Sequence, residues 1–118
     1  MTVIRQPAVA GMFYPNAAPE LSARVEGFMA GIPDTGARVP KAIVVPHAGY
    51  VYSGTIAAAA YARLKPAHAT ITRVVLLGPC HRVAVRGLAA SGADSLACSP
   101  TPFIPSMPPM LTAMRCWT

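Results

Sequence analysis

Two apolar, β-branched runs, KAIVV at 41–45 and RVVLL at 73–77, bracket an alanine-rich stretch, GTIAAAAYARL at 54–64. That order constrains the fold more than anything else in the chain. It reads as strand, loop, helix, loop, strand, the signature of a right-handed parallel βαβ unit. Parallel strands end on one edge of their sheet, and open α/β sheets place ligand sites outside that carboxyl edge. The loops that leave the two runs are PHAGYVYSG (46–54) and GPCHRV (78–83). His47 follows the first run by two residues and His81 the second by four. Both imidazoles are therefore expected in one crevice, as a metal-binding or acid/base pair.

A chain of 118 residues with 53% apolar residues has material for one small domain with a core. No apolar run approaches the roughly twenty residues of a bilayer span. The start, MTVIRQPAVAG, lacks the basic and long apolar regions of a signal peptide. Three irregularly spaced cysteines argue against a disulfide framework and for a reducing compartment, so the cytoplasm is the expected location. The net charge of +6 comes from a shortage of acids rather than a basic cluster, because the ten basic residues are scattered singly. A phosphate-tracking surface concentrates its charge, so nucleic acid is not the expected partner.

Along the chain, residues 3–15 read as an extended entry segment closed by Pro15. Pro19 suits a first helical turn, and Leu21, Val25 and Phe28 give an apolar stripe that Gly31 and Pro33 end. Ser53 is the expected N-cap of the second helix, and RGLAAS (86–91) the expected site of another strand. From Ser95 the character changes. Five prolines fall within 100–109, and the stretch carries three methionines, one charge and no acid. Proline removes a backbone donor and is excluded from helix interiors and central strands. Residues 95–118 therefore read as an irregular Pro/Met-rich tail, set apart from an α/β portion at 1–94. Met107, Met110 and Met114 would each become Asp-Ala in a shifted frame, so an out-of-frame tail is compatible with the sequence.

RQPAVAGMFYP near the start, PHAGYVYSG with its AAAAY helix, and the strand leading to GPCH together resemble the MEMO family. Prokaryotic members of that family are often called AmmeMemoRadiSam system protein B. The resemblance covers roughly residues 3–94, less than half of a family domain, so the chain reads as the N-terminal portion of one. It implies a partial three-layer α/β sandwich with a mostly parallel sheet, similar to class III (LigB-type) extradiol dioxygenases. It further implies a metal-capable crevice lined by His47 and His81, redox or dioxygenase-like chemistry, and association with radical SAM and AMMECR-type proteins. A family cysteine that joins the two histidines has no counterpart here. Cys80 and Arg82 stand where members more often carry serine and a second histidine.

Paired imidazoles suit Fe, Cu or Zn. Two such ligands without the downstream cysteine hold a metal weakly. Cys80, next to His81, reads either as a small, partly buried thiol or as a substitute for the missing thiolate. Tyr50 and Tyr52 either pack across the loop or offer a crevice hydroxyl to a bound oxyanion. Gly49 and Gly54 permit close approach of a ligand or a helix, and Ser53 completes the set of crevice candidates. The rival functions are a non-enzymatic module for a peptide or small anionic ligand, and an inactive truncated product.

Overall fold

The chain turns sharply on Gly11, whose φ of 81° lies in the left-handed region where glycine has no steric penalty. The Gly11 N–H donates to Tyr14 O over 2.8 Å, and the Met12 and Phe13 N–H groups both donate to Val9 O. This knot precedes the first helix. In the computed structural model, described for residues 1–97 and for the backbone of 110–115, the order is β1 (Ile4–Arg5), α1 (Ala18–Ala30), α2 (Tyr50–Ala62), a short 3-10 turn (Lys65–Ala67), β2 (Val74–Pro79), β3 (Leu88–Ala89), β4 (Ser95–Leu96) and β5 (Met110–Arg115).

The protein is α/β, with two helices and small sheets that are mostly parallel. β1 pairs in parallel with β4, and β2 in parallel with β5 from Val74↔Met110 to Pro79↔Arg115. β3 joins the other edge of β5 antiparallel, giving the order β2-β5-β3. The β1–β4 ladder is clamped by a reciprocal pair of hydrogen bonds. Val3 N–H donates to Asp94 Oδ2 over 2.8 Å, and Asp94 N–H donates back to Val3 O over 2.9 Å.

Helix α1 begins with a proline in its first turn and ends at Gly31, as Pro19 and the Gly31/Pro33 pair predict. Helix α2 begins four residues earlier than the alanine-rich run suggests, at Tyr50, with Gly49 as its N-cap. Ser53 is therefore not the N-cap but an interior residue of the first turn. The aromatic and β-branched residues of YVYS have modest helix propensity, and packing of Tyr50 overrides it. The helices cross where Gly54 meets Phe28: a Cβ built on Gly54 would lie 2.5 Å from two ring carbons. The absence of a side chain there is what lets α2 lie against α1. Ser53, Gly54 and Ala58 are the buried residues of α2.

Two expectations about strands fail. KAIVV at 41–45 forms no ladder. Its β-branched residues favour extended backbone, but a strand also needs a partner, and 41–45 is not paired to β2, whose outer edge stays open in the order β2-β5-β3. The tail is not irregular throughout, since Ser95–Leu96 and Met110–Arg115 are strands. The five prolines lie upstream of Met110, and MLTAMR contains none, so β5 itself lacks no backbone donor; the one proline of the β2–β5 ladder, Pro79, stands at its end opposite Arg115. The rest of the Pro/Met-rich segment, 98–109 and 116–118, lies outside the described residues. RGLAAS supplies β3, as its composition suggests.

Candidate metal centre

His47 stands three residues before α2, and His81 two residues after β2. The Nε2 atoms of the two rings approach to 2.9 Å, with ring centroids 5.2 Å apart and planes 27° from parallel. The juxtaposition expected from two parallel strands is present, although only one of those strands forms. Both side chains are exposed. At this separation one Nε2 must carry a proton and the other must be bare, because two N–H groups or two lone pairs would repel. A metal can take the place of that proton. Two nitrogens at right angles on a square-planar or octahedral ion, with bonds of about 2.0–2.1 Å, stand about 2.9 Å apart, whereas a tetrahedral ion such as zinc spaces them about 3.3 Å apart. The 2.9 Å separation matches the first arrangement, and the rings would part by a few tenths of an ångström for the second.

The loop that carries His47 is fixed from two sides. Ser53 Oγ donates to Ala48 O over 2.7 Å, with a longer approach of 3.2 Å to Gly49 O. From the other side, Tyr50 N–H donates to Phe13 O over 2.7 Å, joining the loop to the Gly11 knot. Gly49 lies so close to Phe13 that a Cβ would sit 3.5 Å from its carbonyl oxygen. The Tyr50 ring is half-buried between Tyr14, at a centroid distance of 5.6 Å, and Phe28, at 6.1 Å and 68°. The packing alternative for Tyr50 therefore has direct contacts to support it. Tyr52 is exposed.

Replacing Ser53 by alanine removes a buried donor and leaves the Ala48 carbonyl with less satisfaction. A loss of about 1 kcal/mol is expected, measured by urea denaturation, with weaker metal binding as the His47 loop loosens.

Cys80 is half-buried beside His81. Among the described residues, no group of three His, Cys, Asp or Glu side chains is placed to hold a metal ion. Cys80 therefore does not complete a three-ligand set with the two imidazoles. Sequence reasoning missed Phe13, whose contribution is a backbone carbonyl and leaves no residue-type signal. It also missed the tie made by Ser53, which a hydroxyl four or five residues after a loop carbonyl could have suggested.

Loop-borne histidines that meet on either side of α2, with an FYP segment tied to the Gly49–Tyr50 end of the first loop, define one pattern from residue 10 to residue 81. The family model for "Memo-like protein" matches residues 5–103 and takes in all of it. The chain belongs to the Memo-like family. The match runs past the change of composition at residue 95, so the family pattern extends further than the motifs alone suggest. Among curated relatives, Protein MEMO1 of Homo sapiens is 40% identical over 93 residues, covering 78% of this chain and 30% of that protein. A MEMO1 family protein of Aquifex aeolicus is 45% identical over 78 residues, covering 66% of this chain and 27% of the relative. One from Thermoplasma volcanium is 40% identical over 80 residues, covering 68% and 29%. The chain thus spans less than a third of the length of these Memo-like relatives.

Proposed function

We propose that this chain carries a two-histidine metal-binding crevice of a Memo-like protein, with His47 and His81 as ligands through Nε2. The observation that carries the reading is the 2.9 Å separation of those atoms, reached by residues from two loops 34 positions apart. Iron or copper held there would supply redox chemistry, and zinc Lewis acidity. The residues of the chain do the rest. The Ser53 hydroxyl holds the carbonyls of the His47 loop, and the Phe13 carbonyl holds the first amide of α2. The packed ring of Tyr50 prevents the loop from swinging away. Two protein ligands leave several positions of an ion for water or a small ligand, and they bind it only modestly. Dioxygenase-like chemistry would use those positions.

Imidazole coordinates only as the neutral ring, so protons compete with the metal. Isothermal titration with Zn²⁺ at pH 7.5 is expected to give one site per chain. The same titration in a more acidic buffer is expected to give weaker binding, because protons compete with the metal for the same lone pairs. Absence of binding at pH 7.5 would remove the reading.

A further inference from the structure

The histidine pair is half of a donor set. His47 and His81 present two nitrogens 2.9 Å apart, and among the described residues no third His, Cys, Asp or Glu side chain stands with them to hold an ion. A transition metal takes roughly four to six donors, so the pair satisfies at most half of one. Water can fill the other positions, but imidazole suits these ions better.

The pair is also open to a large partner. Both rings are exposed, as are Pro46, Ala48 and Arg82 next to them in the chain, and the two neighbours of His47 are compact. A second copy of the chain carries the same two nitrogens, already side by side. Once one of them is attached to an ion, the other binds at high effective concentration. A twofold axis through the ion sets one pair on each side of it, and such a contact uses the same patch on both copies. The net charge of +6 on each copy opposes the meeting. That repulsion is screened beyond about 8 Å at physiological ionic strength, so it does not forbid contact at a shared ion.

We propose that two copies of this chain share one transition-metal ion, each giving His47 and His81, in a four-imidazole site that makes a metal-dependent dimer. The inference rests on the metal-binding reading above and adds the second half of the donor set. It fixes a dependence on the ratio of ion to chain that plain apolar association does not show. With chain in excess, two pairs meet on one ion. With ion in excess, each pair takes its own, which is the one site per chain at the end of a titration, and the dimer comes apart.

The untagged full chain is run by size-exclusion chromatography with light scattering at rising Ni²⁺, an ion that accepts square-planar coordination. The chain is kept well above the dissociation constant of the ion. The expected mass is that of one chain without metal, of two chains at half an equivalent, and of one chain again at a tenfold excess or after EDTA. His47→Ala and His81→Ala are each expected to reduce the dimer at half an equivalent at least tenfold. The rise and fall of the wild-type mass needs no variant and is the decisive reading. The mass of one chain at every ratio, with one Ni²⁺ bound per chain, overturns the shared site and leaves the metal-binding reading standing. A dimer that forms without metal, persists at a tenfold excess or survives in both variants overturns it equally. No Ni²⁺ bound at any ratio removes both readings.

Discussion

His47→Ala and His81→Ala are each expected to lower the affinity for Zn²⁺ or Cu²⁺ by about a hundredfold, and the double variant to abolish binding. The reason is the 2.9 Å approach of the two Nε2 atoms. Once the first imidazole holds an ion, the second is already beside it, so its bond forms at high effective concentration. Removing either partner leaves a lone surface imidazole, and the two single variants should therefore be equally impaired. Stability should change little, because both side chains are exposed and surface substitutions lie within about 0.5 kcal/mol. Isothermal titration decides the matter. Wild-type affinity in both single variants would place the ligands elsewhere, with Cys98 and Cys116, which lie outside the described residues, the first to test.

A second large effect is expected at the helix crossing, where two physical terms compete. Helix propensity alone makes glycine a poor choice inside a helix, by about 0.5–1 kcal/mol relative to alanine. Gly27 of α1 has nothing within 4 Å of a built Cβ. Gly27→Ala should therefore stabilise by that amount. Gly54 is the opposite case, because its Cβ would meet the Phe28 ring at 2.5 Å. Phe28 packs edge-on against Tyr50 at 6.1 Å, so the ring would have to leave that contact to make room. Overpacking of this kind costs about 1–3 kcal/mol, more than the propensity gain returns. Gly54→Val, which adds two methyl groups at the same point, should lie at the upper end. Urea denaturation should move the two variants in opposite directions. A stabilised Gly54→Val protein would show that the helices do not cross at Phe28.

What the sequence made legible, and what it hid, follows from the range of each interaction. The meeting of His47 and His81 was expected from two parallel strands that send their loops to one edge. The rings do meet, but 41–45 forms no strand. The ties of the His47 loop to Phe13 and Ser53, which the sequence did not reveal, hold that side of the pair. Helix α1 was legible from Pro19, the 21/25/28 stripe and Gly31, all local signals. The start of α2 was not, because Tyr50 is held by tertiary contacts with Tyr14 and Phe28 that no window around residue 50 contains. The strand expected at 41–45 has the right composition and no partner. β5 has a partner and was obscured by the prolines just before it. In both cases composition describes the strand and says nothing about its neighbour. Phe13, a support of the site, acts through a carbonyl that every residue possesses.

The β2–β5 pairing has a consequence for the order in which the protein comes together during synthesis. Residues 74–79 leave the ribosome well before 110–115, and the only ladder that β2 makes among the described residues is with β5. Until β5 arrives, β2 is a β-branched segment with both edges bare, the state in which strands seek partners on other chains. The helix pair α1 and α2 depends on nearer contacts and is free to form first. The loop of His47 is thus set early and that of His81 late. A nascent chain therefore passes through an interval in which one histidine of the pair is held and the other swings on an unpaired strand, and a chaperone that shields Val75–Leu77 during that interval would raise the yield of folded protein.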